Sequence, residues 1–527
     1  MTYKKWQDRI LVFLQVAVAA GIAAAALFLL YRYAKYGQKE KEASGRVAAV
    51  QEESGEEMAQ DGEKTEKRGL MQEAGVQDKD AEREEIGEED QQETWDDFQV
   101  PEIIRVRIMD QDFLHDCHES VTVSCSSGYT VTELSGNAFE GAGRPEREES
   151  GRAELGTEVP EKEETENSTE HNGAEKAEDT RSRTYSPEEV LEIDAGELQE
   201  NEILCVEGAD GASLCIASLQ RGDGVPEYDG KLYLMGEDEG IAVINELPLE
   251  EYLYSVISSE MPSDYPAESL KAQAVCARTY AVNCINSKKS GEKYEDLDDS
   301  VSFQVYNNYH YSDSSKDAVD ETRGEILPLK EVQYYSTSCL SEHREDLDSD
   351  AAFEKFLSKE PEEGAQYGSP WLRWSVKLPI DDVLENIRTE YGGKAAESGE
   401  NSQELSTITD IKVEGRRGDG QVQALTVICG DESFHIEGEY NIRKILGNMQ
   451  AEITLLDGSV SSKMQLLPSA FFCLEMTEGY VNVRGGGYGH GNGMSQCGAA
   501  EMADLGLDYK AILEYYYDVS VVGDSEK

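Results

Sequence analysis

Two long acidic stretches limit where this chain can fold. Gln38–Trp95 and Glu133–Arg183 consist largely of Glu, Gln, Asp, Lys and Gly, with few large apolar side chains. Such segments bury too little apolar surface to offset the entropy lost on ordering them. Packing is therefore expected in what remains of the 527 residues, of which only 39 % are hydrophobic overall. A net charge of −60 also argues against nucleic acid as a partner, because the chain offers no phosphate-neutralising patch.

The N-terminal end has a different character. From Ile10 to Leu30 the run "ILVFLQVAVAAGIAAAALFLL" carries no charge, and roughly twenty such residues cross a bilayer as a helix. The reading is an uncleaved membrane anchor over 10–31, after a cytoplasmic tail at 1–9 and before an acidic disordered linker at 32–100. A cleaved signal peptide is the alternative, since the alanines offer small-residue cleavage sites. Against it, the apolar core is long for a leader and runs directly into Tyr31, Arg32 and Tyr33. Lys4, Lys5 and Arg9 precede the run and Arg32, Lys35, Lys39 and Lys41 follow it, so charge alone does not orient it.

Between and after the acidic stretches, strand-like alternation recurs. "EIIRVRIM", "SVTVSC", "NEILCVEG", "SLCIASL", "KLYLMG" and "GIAVINEL" read as half-buried or central strands. They give an α+β fold: a mixed, β-rich domain over 101–520 with a helical catalytic segment and a disordered acidic insertion at 133–185. Further strands are expected in "GEILPLKEVQYYSTSCLSEH", "LSTITDIKVEG", "QALTVICG", "ESFHIEG", "MQLLPSAFFCLEM" and "YVNVRG", and short helices in "IDDVLENIRTEYG" and "YNIRKILG". The ten cysteines are scattered with no C-x-x-C pair, and several lie in apolar runs. This is unlike a stapled scaffold and leaves the redox compartment open.

The chemistry centres on "SSEMPSDYPAESLKAQAVCARTYAV". Leu249, Leu253, Val256 and Glu260 fall at helical spacing, so the Glu260 carboxylate is predicted to point where the apolar stripe points. A carboxyl held against apolar neighbours has its pKa pushed upward, which equips it to donate a proton near neutral pH. Pro262 and Pro266 break the chain after it. A second helix then starts near Pro266, with Leu270, Ala274, Ala277, Ala281 and Cys284 as its packing face and Lys271 and Arg278 nearly in line on another. If that second face borders the cleft of Glu260, the two cations hold polar substrate groups; otherwise they are solvated surface charges.

Near the C-terminus "GGGYGHGNGMSQCGAAEMADLG" is a Gly-rich loop that delivers His490 and enters a helix. Its glycines allow close approach to a ligand, but no G-K-[ST] follows, so it is not a nucleotide loop. Cys497 in "SQCG" superficially suggests a cysteine peptidase, yet no histidine lies downstream of it. Cys339 and His343 have usable metal-ligand spacing but supply only two of the four ligands that a structural zinc needs.

These segments carry a resemblance. "SSEMPSDYPAESLKAQAVCARTYAV" and "VRGGGYGHGNGMSQCGA", with "SFQVYNNY", "DETRGEIL", "YYSTSC" and "LPSAFFCLEM" in order between them, resemble the SpoIID/LytB family over residues 101–132 and 186–520. The resemblance implies a membrane-anchored lytic transglycosylase of sporulating cells, active in forespore engulfment. Such an enzyme cuts peptidoglycan glycan strands already stripped of stem peptides and leaves 1,6-anhydromuramic ends. It implies Glu260 as the catalytic acid, Lys271 and Arg278 as basic residues around it, and Gln304, Tyr306, His490, Ser495 and Gln496 as substrate contacts. It further implies a SpoIIP-like amidase and a SpoIIM-like membrane protein as partners, no cofactor, and an extracytoplasmic catalytic domain on a single-pass anchor.

LytB-type relatives suggest a second reading, a non-catalytic peptidoglycan-binding activator of an amidase. Some clostridial relatives hold zinc with a His and two Cys before the Gln-x-Tyr motif. Here "KYEDLDDSVSFQVY" has neither residue type, so no zinc is predicted. Many relatives also have Tyr where this chain has Cys497.

Overall fold

The computed structural model describes residues 100–523 apart from 114, 135–180, 201, 222–223, 288–293, 301–302, 308–310, 342, 362–365, 398–406 and 463. The apolar run at 10–30, nearly all of the linker that follows it and most of the acidic insertion lie outside the described residues. Among the described residues no helix is long and apolar enough to cross a membrane.

The fold is α+β. Its first core is built on a seven-stranded sheet: β1 (Ile103–Ile108), β2 (Tyr129–Leu134), β3 (Ser182–Tyr185), β4 (Ile203–Gly208), β5 (Lys231–Glu237), β6 (Gly240–Pro248) and β7 (Leu297–Asp298), in the order β7-β1-β6-β5-β4-β2-β3. All pairings are antiparallel except β1 with β7. β6 is buried along most of its length, which is why its sequence reads as a nearly continuous apolar run rather than an alternation. A smaller sheet of Leu191–Asp194, Ser120–Ser124, Leu214–Ile216 and Glu227–Tyr228 contributes to the same core.

The acidic insertion, expected at 133–185, is entered by strands from both sides. β2 runs to Leu134, β3 starts at Ser182, and the two pair with each other. The excursion therefore joins neighbouring antiparallel strands, and β-favouring residues such as Thr132 and Tyr185 hold its ends in the sheet.

β6 passes directly into α1 (Leu249–Glu260), followed by α2 (Ala267–Ser287) and α3 (Asp313–Glu321), which Ser312 caps by accepting from Ser315 N–H. The expected strand or hairpin at 324–343 forms only the short β8 (Tyr334–Tyr335), which pairs in parallel with β9 (Met494–Ser495). Between these two short strands the chain builds a second core around Trp374, Ile387, Leu425, Ile442 and Phe472. That core lies on a five-stranded sheet (Val460–Ser461, Ile453–Leu455, Trp374–Pro379, Tyr480–Gly485, Phe472–Thr477) and a three-stranded one (Ile408–Arg416, Val422–Cys429, Glu432–Glu437). The strand read into 464–476 starts only at Phe472, since Pro468 cannot donate to a ladder. The helices of this part are α4 (Asp350–Leu357), α5 (Ile380–Glu397) and α6 (Glu439–Ile445). After β9, α7 (Gln496–Asp504) and α8 (Tyr509–Tyr517) share an apolar cluster with α2 through Ala272, Val275, Ala499, Ile512 and Leu513.

Candidate active site

Glu260 is the last residue of α1. Leu249, Leu253 and Val256 on its stripe are buried, and the helix stops because Met261 turns extended ahead of Pro262. The segment 303–307 runs past this helix end. Val305 N–H donates to Glu260 Oε1 at 2.9 Å, and Asn307 N–H donates to Ser259 Oγ at 3.4 Å. The Gln496 amide and the Tyr334 phenol act as further donors to the carboxyl. Burial outweighs these three donors, so the Glu260 pKa lies above the ordinary 4.5 of a glutamic acid. Among the described residues, the groups that shift it are neutral. The arrangement favours the protonated form of a carboxyl at the end of an apolar stripe, and the Val305 N–H fixes its direction.

Four of the other expected site residues surround Glu260 or the groups behind it. Gln496 Nε2 donates to the Glu260 backbone carbonyl at 3.2 Å and faces Gln273 Oε1 at 3.5 Å. Ser495 caps α7 by accepting from Gly498 N–H at 3.1 Å, and it also accepts from Ser338 N–H. Gln304 is buried and donates to Ala277 O at 3.2 Å and to the Tyr334 hydroxyl at 3.1 Å. His490 donates from Nε2 to Tyr334 O at 2.9 Å and accepts at Nδ1 from Asn492 N–H at 3.1 Å. Tyr306 is buried with its hydroxyl donating to Asn245 Oδ1 at 2.8 Å, an anchor to β6. Buried and saturated by protein partners, Gln304, Tyr306 and Ser495 support the site from behind and present no free polar group to a substrate.

Lys271 and Arg278 do not border Glu260. Arg278 is 0 % exposed and grips Glu250 at 2.9 and 2.7 Å, with further bonds to Val319 O and Glu325 O at 3.1 Å each. Glu250 lies in the first turn of α1, ten residues or about 15 Å of helix from Glu260. Lys271 pairs with Glu268 at 2.8 Å and Glu321 at 2.7 Å and lies over the Tyr509 ring. Gln273, two positions on, faces Gln496, and side chains two apart on a helix do not share a face. In a chain so rich in carboxylates, both cations found acidic protein partners.

The glycines of the C-terminal loop serve contacts within the protein. At Gly489 (φ +119°) a Cβ would sit 2.8 Å from Tyr335 Cβ, and at Gly491 (φ +76°) it would run into the Phe471 ring. Trp374 Nε1 donates to Gly487 O at 2.9 Å, and Arg417 donates to Gly491 O and Asn492 Oδ1 at 2.7 Å each.

Sequence reasoning missed Tyr334, Gln273 and the Val305 amide. "YYSTSC" flagged the region of Tyr334 without singling out the phenol, and a backbone N–H leaves no residue-type signal. Phe303, two residues before Val305, is exposed, and Tyr265 and Tyr367, both partly exposed, meet edge-on at 4.7 Å, with the Tyr265 hydroxyl against Cys497. Cys497 is buried against the hydroxyls of Tyr265 (3.4 Å) and Thr337 (3.3 Å), a setting without the histidine that a thiol nucleophile requires. Cys339 is buried while His343 is on the surface beside Glu345. Among the described residues no group of three or more His, Cys, Asp or Glu could hold a metal ion.

The profile of the stage II sporulation protein (SpoIID) family matches residues 237–328, which hold α1, α2 and the 303–307 segment. A domain of unknown function (DUF8618) matches 323–493, the region of the second core. An uncharacterised protein of Brachyspira hyodysenteriae is 32 % identical over 303 residues, covering 55 % of this chain and 71 % of that protein. Stage II sporulation protein D of Bacillus subtilis is 29 % identical over 54 % of this chain and 76 % of its own length. The amidase enhancer of the same organism is 27 % identical over 50 % of this chain but only 39 % of its own length.

Proposed function

The chain belongs to the SpoIID family, and from that premise we propose that it is a lytic transglycosylase that cuts peptidoglycan glycan strands stripped of stem peptides, during sporulation. The observation that carries the reading is Glu260, a carboxyl at the end of α1 whose pKa burial raises above the ordinary value and whose Oε1 accepts from the Val305 N–H. As general acid it gives its proton to the glycosidic oxygen. As general base it then takes the proton of the muramic acid 6-hydroxyl, which closes onto its own anomeric carbon. No water is added, so a second carboxylate to place one is unnecessary.

The reading includes an extracytoplasmic catalytic domain held by an anchor at 10–31, and a partner amidase that clears stem peptides before the chain acts. It also includes a SpoIIM-like membrane protein beside the anchor. Turnover of labelled strands by the full-length protein in detergent, compared with Glu260→Gln, tests it. Cleavage of peptide-free strands by the wild type alone supports the proposal. Equal cleavage by both proteins overturns it.

The likeness to an amidase enhancer favours one other reading, a non-catalytic activator. In that case Glu260→Gln would stimulate a purified amidase as well as the wild type does, with no cleavage of strands by either protein.

A further inference from the structure

We propose that His490 is a positioning residue that fixes the backbone of Tyr334 and thereby determines where the Tyr334 phenol meets Glu260. This deepens the reading of Glu260 as proton donor and rests on it. A substrate contact requires a free ring nitrogen, and His490 has none: Nε2 is taken by Tyr334 O and Nδ1 by Asn492 N–H. The Asn492 N–H can only donate, so Nδ1 is the acceptor and the proton sits on Nε2, aimed at Tyr334. Burial lowers the imidazole's pKa, which favours the neutral ring and with it that tautomer. The Tyr335 ring lies 5.7 Å from the imidazole, centroid to centroid.

Both ends of this linkage are held. On the loop side, Gln421 donates to His490 O and Arg417 to Gly491 O and Asn492 Oδ1, so the second core fixes the histidine. On the other side, Tyr334 belongs to a two-residue strand, which gives its backbone little anchorage of its own. Its phenol accepts from Gln304 Nε2 at 3.1 Å and donates toward Glu260. Among the described residues, the groups that act on the Glu260 carboxyl or feel its charge are neutral: Tyr252 from α1, Tyr280 from α2, Tyr334 from β8, Gln496 from α7 and the Val305 amide. Among such neutral neighbours, the carboxyl's proton affinity is expected to follow the position of this phenol.

The test is the titration of the Glu260 carboxyl in the full-length protein, read by infrared difference against Glu260→Gln, which requires no turnover. Tyr334→Phe removes a donor to the carboxylate and raises the midpoint by on the order of one pH unit. His490→Ala is expected to raise it in the same direction, and the double variant no further than Tyr334→Phe alone. His490→Gln, whose amide N–H reaches the same carbonyl, restores the wild-type midpoint. Should the alanine variant fail to fold, the pair His490→Gln (unshifted) and His490→Asn (shifted, one methylene too short) decides. An unshifted His490→Ala or His490→Asn, or a shift that adds in full to that of Tyr334→Phe, overturns the proposal. Should Glu260→Gln still cut glycan while these shifts appear, the catalytic reading falls and the positioning role stands; an inactive Glu260→Gln without the shifts means the reverse.

Discussion

Arg278 holds Glu250 through two parallel hydrogen bonds, 2.9 and 2.7 Å, at the end of α1 opposite Glu260. The pair ties α2 to the start of the helix that carries the candidate acid, and through Val319 O and Glu325 O it reaches α3 and the turn beyond. Removing one partner leaves a buried charge uncompensated, at a cost of roughly 3–5 kcal/mol. Arg278→Met is therefore expected to lower the thermal midpoint strongly. Whatever protein remains folded should bind denuded glycan with unchanged affinity, and calorimetry alongside a binding isotherm separates the two effects.

The raised pKa of Glu260 has a consequence for stability. The folded state holds this proton more tightly than the unfolded chain does, so the protein loses stability as pH rises from the unfolded value, near the ordinary 4.5, through the folded one. Glu260→Gln removes that cost. Denaturant unfolding at pH 8 should show the variant more stable than the wild type, with the difference vanishing below about pH 4.

Gln496 joins α7 to the end of α1. Gln496→Leu removes a donor from the carboxyl and the bond to the Glu260 carbonyl. A hydrogen bond of about 1–2 kcal/mol is lost, so turnover should fall roughly 10-fold. The alkaline limb of the pH–rate profile should also move to higher pH, since Glu260 then keeps its proton longer.

Phe303 is 38 % exposed two residues before the amide that holds Glu260, while Gln304 and Tyr306 in the same stretch point inward. An exposed ring at that place suits the apolar face of a sugar. Phe303→Ala is expected to raise KM for glycan by roughly 2- to 12-fold, the worth of about 0.5–1.5 kcal/mol of ring contact, with kcat little changed. Steady-state kinetics on denuded strands checks this split.

The parts of the site that could be read from the sequence were those carried by periodicity. The stripe from Leu249 to Val256 pointed to Glu260, and the helix bounds around Pro262 and Pro266 follow from proline sterics. Lys271 and Arg278 misled because spacing assigns a face of a helix but not what packs there, and Glu250, Glu268 and Glu321 come from separate turns and elements. The glycines of the C-terminal loop suggest a ligand cradle in the sequence, but the partners they meet in the fold, Phe471, Arg417 and Gln421, lie 20 or more residues away, beyond what local pattern shows. The short helix α8 carries little signal in the sequence, since its apolar positions Ile512 and Leu513 acquire meaning only against α2.

Cleavage driven by Glu260 alone is intramolecular and leaves its mark on the products. Mass spectrometry of the new chain ends tests it most directly, using amidase-treated glycan strands with wild type and Glu260→Gln. The wild type is expected to give 1,6-anhydromuramic ends, each lighter by one water than a reducing end, and the variant none. Reducing ends from the wild type, or anhydro ends from the variant, would contradict it.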